Sequence, residues 1–132
     1  MSENVIMAKS LSTVHNDDAL IRAFKTNQYA DLANADAKSL PAIEKAFVDK
    51  ITQYTTNVTV IKHKPVTVDG LNGSIIESTD NIDLKKVFVV NAYLFDKKGM
   101  GYQMRFNTDD TINYDLKLKA FENAILSFKL LK

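Results

Sequence analysis

Residues 86–106 read KVFVVNAYLFDKKGMGYQMRF, and this stretch decides the fold. The nearly continuous apolar run up to Phe95 is typical of a long β-strand, and the alternation from Tyr102 to Phe106 is typical of its partner strand. Between them, the Asp-Lys-Lys-Gly sequence at 96–99 is a turn signal. The stretch therefore predicts an antiparallel β-hairpin.

The first strand of this hairpin has two apolar faces. Alternation places on one face Phe88, Val90, Ala92 and Leu94. The other face carries Val87, Val89, Asn91, Tyr93 and Phe95. Two apolar faces must both be buried, so helices packed on both sides would give a three-layer sandwich. The alternative is that one side is partly open and receives a ligand or a partner.

Further strands are expected upstream of the hairpin. β-branched residues favour pleated surfaces, and they dominate residues 58–61 and 66–68. Residues 5–7 form a short apolar run, and residues 74–79 have strand character. Turns are expected at Asp69-Gly70, at Asn72-Gly73 and at 80–83.

Two helices are expected, and one segment is ambiguous. Residues at steps of three and four predict a helix from about Leu40 to Tyr54, with Ser39 as N-cap: Leu40, Ile43, Phe47, Ile51 and Tyr54. A second helix is expected to begin near 113–115. Residues 16–36 fit either a helix capped at 16–18 or a strand over 19–25 followed by a loop.

The order of these elements predicts the fold class. Hairpins in succession, with helices set apart from them, are typical of an α+β protein with a mostly antiparallel sheet flanked by helices. The alternation of strands and helices that builds a doubly wound nucleotide-binding fold is not seen. We expect residues 1–132 to form one domain in an α/β/α sandwich.

Composition excludes several classes of function. With 17 basic and 16 acidic residues, the net charge of +1 gives no attraction to nucleic acid, and the lysines are expected to be solvated edges and turns. The chain has no cysteine, which excludes disulfides and thiolate-bound zinc. Its longest strongly apolar run, 87–90, is too short to span a membrane. No signal peptide is visible, so the expected location is cytoplasmic.

The second half of the chain resembles a known superfamily. The residues that carry the resemblance are the Val-x-Val-Asp-Gly-x-x-Gly step at 66–73, the hairpin from Tyr93 to Tyr102 and the Ile-Leu-Ser-Phe-Lys end at 125–129. This pattern is similar to the PsbP/Mog1-like superfamily, which includes bacterial DcrB-type domains. The resemblance extends over residues 19–132 if 19–25 is a strand, and it therefore favours the strand.

The resemblance implies a binding function. Families of this fold are mostly non-enzymatic, and they include photosystem accessory subunits, a Ran-binding factor, periplasmic lipoproteins and chaperones for type VI secretion effectors. We therefore expect a protein-binding, accessory or chaperone-like module that engages another protein or an apolar segment through its sheet. The expected anchors are Tyr93, Tyr102 and Met104, because Tyr and large apolar side chains supply most of the contact energy in interfaces.

No catalytic residue, metal ligand or cofactor is predicted. His63 lies between two lysines and is expected to be a surface residue, while Ser74 lacks the glycines of a nucleophile elbow. The acidic pairs at 17–18 and 109–110 are expected to act as caps or turns, since sequence neighbours do not converge in a regular element. A carrier of small apolar ligands is the alternative. An enzyme would regain support if His63 met a carboxylate in a cleft.

Overall fold

The computed structural model describes residues 4–9, 17–53, 57–82 and 84–129. Within these ranges the strands are β1 (Asn4–Lys9), β2 (Asp18–Lys25), β3 (Val58–Val68), β4 (Leu71–Ile82), β5 (Lys85–Phe95) and β6 (Met100–Thr108). The helices are α1 (Ala30–Ala33), α2 (Leu40–Thr52) and α3 (Tyr114–Leu126). The strands form one antiparallel sheet in the order β1-β2-β6-β5-β4-β3.

The hairpin expected from the sequence is β5 and β6. Ala92 lies opposite Met104, and Leu94 lies opposite Tyr102. The chain reverses at Gly99, whose φ of 92° is a backbone conformation that glycine adopts without strain. The turn is closed where Asp96 N donates to Met100 O at 2.9 Å. The prediction of a long central hairpin with its turn at 96–99 is confirmed.

The ambiguous segment at 19–25 is a strand, as the family resemblance favoured. β2 pairs with β1 on one side and with β6 on the other, so both edges of its backbone take part in the ladder. A helix over the same residues would form its backbone hydrogen bonds within itself. The edge of β6 that now pairs with β2 would then lose this strand as its hydrogen-bond partner. The segment at 27–36, expected to be a loop, contains the four-residue helix α1.

Two predicted turns are corrected. Asn72 and Gly73 lie inside β4 rather than in a turn, because the chain already reverses at Asp69 and Gly70, which have φ values of 52° and 77°. Residues 80–82 also belong to β4, and the reversal into β5 includes Leu84 at φ 65°. Asp83 lies outside the described residues.

Helix α2 begins where the sequence predicted and ends at Thr52, while Tyr54 lies outside the described residues. Ser39 is the N-cap residue, as predicted, but it does not cap the helix through its side chain. The Ser39 side chain makes no cap bond to α2, and Ser39 N instead donates to Asp36 Oδ1 at 2.8 Å. Hydrogen bonds from Ser39 lower the pKa of Asp36. The turn before α2 is therefore fixed by a pair of side chains.

Helices cover both faces of the sheet, which confirms the α+β sandwich. Helix α3 packs through Ile125 on a core that includes Ile75, Val90, Leu94 and Met104. The opposite face packs with α1 and α2 through Leu32, Leu40, Phe47, Val48, Ile76 and Phe95. No helix in the described part of the chain has the length and apolar content needed to cross a membrane.

Candidate functional site

A cleft opens on the α1/α2 face of the sheet, beside the C-terminal end of α2. Helices α1 and α2 pack mainly on β3, β4 and β5, and the cleft lies where α2 stops. It has a volume of about 220 Å³. Its lining combines apolar and polar side chains: Ile51, Val58, Ile76 and Val89, and Thr52, Ser78, Asp80, Asn91, Tyr93, Gln103 and Arg105. The last four belong to β5 and β6, and we call them the floor of the cleft. We call this feature the α2-end cleft.

A hydrogen-bond network across three strands fixes the floor of the α2-end cleft. Gln103 is at its centre and is buried. Its Oε1 accepts from Arg22 Nε at 2.6 Å, and its Nε2 donates to Asn91 Oδ1 at 2.9 Å and to the Tyr93 hydroxyl at 3.3 Å. Because β2, β5 and β6 each supply a member, the network holds the floor residues in one arrangement.

Arg105 is the unusual residue of this floor. It lies opposite Asn91 on β5 and opposite Leu20 on β2. Its Nε is buried and has no hydrogen-bond partner. Among the described residues, no carboxylate is ion-paired with it. Buried donors in native proteins are nearly always paired, so an acceptor that enters the cleft would find this donor available.

The two arginines also act on Tyr93. Burial raises the pKa of Tyr93, and the positive charges of Arg22 and Arg105 partly oppose that rise. Both guanidinium groups therefore lie near enough to the Tyr93 hydroxyl to influence its charge. Two guanidinium groups therefore place positive charge around this hydroxyl on the floor of the α2-end cleft.

The three residues predicted from the sequence as anchors do not form one site. Tyr93 lies on the floor of the α2-end cleft, whereas Tyr102 lies on the opposite face of the sheet and packs against Phe128 at a ring distance of 5.5 Å. Met104 is only 4% exposed and belongs to the core under α3. The expectation for Met104 as an accessible anchor is wrong, because α3 covers its side of the sheet.

His63 is not the simple surface histidine that its lysine neighbours suggested. Its Nδ1 lies 2.9 Å from Glu44 Oε1, and the Ser74 hydroxyl donates to Glu44 Oε2 at 2.6 Å. Glu44 and Ser74 are both fully buried. The carboxylate of Glu44 therefore joins α2 to β3 and β4. The sequence did not predict this contact, because His63 and Ser74 are 19 and 30 positions away from Glu44.

This convergence does not have the geometry of a nucleophilic site. A serine nucleophile needs a base that accepts its proton, and it must be reachable by a substrate. Ser74 has no exposed surface, and its hydroxyl donates to Glu44 rather than to His63. The three side chains bind each other around one carboxylate, which is the arrangement of a structural cluster.

One member of each acidic pair of the sequence, Asp17 and Asp110, binds Lys117, in addition to the cap and turn roles expected of the pairs. Lys117 Nζ lies 2.6 Å from Asp17 Oδ2 and 3.0 Å from Asp110 Oδ2. The Thr108 hydroxyl also donates to Asp17. Asn113 N donates to Asp110 Oδ1 at 3.1 Å, so Asp110 accepts a backbone hydrogen bond just before the start of α3. The hydrogen bond to Asp17 is the main cause of the raised pKa of Lys117.

This ion cluster holds elements of the fold together. The ammonium of Lys117 lies between the two buried carboxylates and attaches α3 to the start of β2. No group of three or more metal-ligating residues is present among the residues whose positions are described. The expected lack of a metal requirement stays a prediction.

We expect the protein to lose stability in alkali, above about pH 10. The Tyr114 hydroxyl donates to Glu77 Oε1 at 2.9 Å, and burial with this bond raises the pKa of Tyr114 well above 10. The pKa of Lys117 is raised as well. Above the unfolded pKa of about 10, the folded state binds more protons than the unfolded state, so the free energy of unfolding falls as pH rises.

Urea titrations from pH 8 to 11.5 would measure this fall. Tyr114→Phe is the matched variant, because it keeps the ring that stacks on Phe88 at 4.0 Å and removes the ionising group. Its stability should decrease less steeply with pH than that of the wild type. Parallel curves for the two proteins would contradict the assignment to Tyr114.

Comparison with known proteins supports the fold and gives no function. No protein-family model matches the chain, and no curated protein matches it in sequence. A crystal structure from Pseudomonas aeruginosa, of a protein of unknown function termed PA94, is similar with a TM-score of 0.66. The alignment covers 100% of this chain and 86% of that one at 8% sequence identity. At this identity the likeness shows a shared fold alone.

Proposed function

We propose that this chain is a non-enzymatic protein-binding module of the PsbP/Mog1-like type, which binds a segment of a partner protein in the α2-end cleft. The observation that carries the proposal is the unpartnered guanidinium Nε of Arg105 beside Tyr93 on the floor of that cleft. Arg and Tyr are enriched among the residues that dominate binding energy in interfaces. The proposal includes an accessory or chaperone-like role, which would use the same surface.

The dimensions of the cleft support a protein segment over a small ligand. Pockets for small molecules usually measure about 300–1,000 Å³, and the α2-end cleft has about 220 Å³. A larger groove of about 550 Å³ lies between β3 and α3, but its lining includes Lys62, Lys64, Glu77 and Glu122. Four charged side chains do not suit an apolar ligand, so the carrier function has less support.

The enzyme alternative also has less support. His63 does meet a carboxylate, but Glu44 is buried beneath it and Ser74 is inaccessible. The α2-end cleft contains one carboxylate, Asp80, among its described lining residues, and its floor presents amide, hydroxyl and guanidinium groups, which bind and orient ligands. Neither histidine of the chain is among these lining residues to act as a second acid or base, so the cleft has more of the groups of a binding site than of a catalytic one.

Site-directed crosslinking tests the proposal, since the chain contains no cysteine. A photoreactive maleimide would be attached to Thr52→Cys, which lies in the lining of the α2-end cleft, and to Ala120→Cys on the exposed side of α3 as the control. We expect a discrete crosslinked protein in native cells at position 52 and none at position 120. Equal labelling at both positions, or no product at either, would refute partner binding in the cleft.

A further inference from the structure

We infer that the α2-end cleft is a carboxylate-binding subsite, in which Arg105 receives an aspartate or glutamate side chain of the partner. The inference rests on the proposed function and specifies its chemistry. Arg105 carries a buried Nε donor that no described residue satisfies. A guanidinium presents its donors as a planar fork, and this fork matches the two oxygens of a carboxylate.

The neighbours of Arg105 present donors as well. The Asn91 oxygen already accepts from Gln103, so its amide NH₂ is the group left to donate to a ligand. The Tyr93 hydroxyl likewise accepts from Gln103, which leaves its proton for donation. Three donors on one floor, together with the charge of Arg105, select a ligand that accepts hydrogen bonds and is negatively charged.

One acidic residue of the protein limits how the ligand enters. Asp80 lines the α2-end cleft from β4, where it lies opposite Val87, and the ion pairs of the described residues do not join it to Arg105. A ligand carboxylate is repelled by Asp80 and attracted by Arg105, with Arg22 bound to the same network. The two charges therefore direct the carboxylate toward the β6 side of the cleft.

The size and the walls of the cleft indicate where the carboxylate comes from. A volume of about 220 Å³ equals roughly seven water molecules at about 30 Å³ each, which suits one side chain. Ile51, Val58 and Ile76 contribute apolar wall around the polar floor. We therefore assign the ligand as an acidic side chain with apolar neighbours in a partner segment, rather than a free organic acid.

Selection from a displayed library of random heptapeptides tests the subsite and does not require an identified partner. The library would be selected on the wild type, on Arg105→Gln and on Lys119→Gln, which removes one positive charge from the exposed side of α3. We expect one position of the selected peptides to be Asp or Glu on the wild type and on Lys119→Gln, but not on Arg105→Gln. Replacing that acid by its amide should weaken wild-type binding roughly 10- to 100-fold.

The outcomes separate the subsite from the proposed function. If Arg105→Gln selects the same acidic peptides as the wild type, the carboxylate subsite is refuted while peptide binding stands. If no protein selects any peptide, both are refuted. If succinate displaces the peptide at an equal concentration, the ligand is a free acid and the partner assignment fails.

Folding of the variants is controlled separately. Melting curves should show Arg105→Gln at or above the wild-type Tm, because the change removes a buried donor without a partner. Arg105→Lys keeps the charge without the fork and provides a second variant. It should bind the acidic peptide less tightly than the wild type and more tightly than Arg105→Gln.

Discussion

The Gly73→Ala variant is expected to lose the native fold, the largest effect of any single substitution that we consider. Gly73 lies in β4 opposite Leu94 of β5 and Val66 of β3. A Cβ atom on Gly73 would lie 2.6 Å from the carbonyl carbon of Tyr93, and closer still to its oxygen. These are backbone atoms, so the clash can be relieved only by separating β4 from β5. We expect a cost of about 4 kcal/mol or more.

Circular dichroism and urea unfolding would measure the effect of Gly73→Ala. Gly70→Asn is the matched control, because a Cβ at Gly70 meets nothing within 4 Å and Asn tolerates the φ of 77°. It should cost less than about 1 kcal/mol. Gly101→Ala should fall between the two, since its Cβ meets the side chains of Phe24 and Phe95 rather than backbone. A cooperative, stable Gly73→Ala protein would show that β4 and β5 do not approach as described.

Phe47→Ala is expected to cost about 3–5 kcal/mol, the usual range for a buried phenylalanine. Phe47 is 5% exposed and lies between α2 and the sheet. Its ring centre is 5.0 Å from that of Tyr29 and 5.4 Å from those of Tyr93 and Phe95. Truncation would therefore leave a cavity beside the three remaining rings.

Urea denaturation at neutral pH would measure this cost, with Leu116→Ala as the control. Leu116 is a helical residue of α3 that is 72% exposed, so its truncation should change the free energy of unfolding by less than about 0.5 kcal/mol. Because Tyr93 also belongs to the floor of the α2-end cleft, Phe47→Ala should weaken partner crosslinking at position 52 as well. A Phe47→Ala protein as stable as the control would contradict the packing of α2.

Much of the fold was predictable because it depends on local periodicity. The two faces of β5 were assigned correctly from alternation, and the apolar stripe of α2 placed Leu40 and Phe47 in the core. Turns were less predictable. Asn72-Gly73 has the composition of a turn, but Gly73 is needed for the close approach of two strands, and composition does not distinguish these two uses of glycine.

The candidate site was mostly not predictable, because it depends on the order of strands and the length of a helix. The aromatic content of the hairpin indicated Tyr93 as a binding residue. Arg105 lies in an alternating strand, where nothing in the sequence indicated a role for it. Its importance arises from what surrounds it: Asn91 across β5, Leu20 across β2 and a helix that ends at Thr52. The same holds for Glu44, whose contact with His63 depends on the packing of α2 over β3.

The position of β2 in the sheet also determines when the sheet can be completed during synthesis. Arg22 of β2 bonds Gln103 of β6, a residue 81 positions later in the chain. At about 5–20 residues per second, β2 has existed for roughly 4–16 s before that partner is translated. Strands β3 to β6 pair with their sequence neighbours and have no such delay. The pairing of β2 with β6, and with it the floor around Arg105, therefore cannot be completed until β6, the last strand of the described sheet, has been translated.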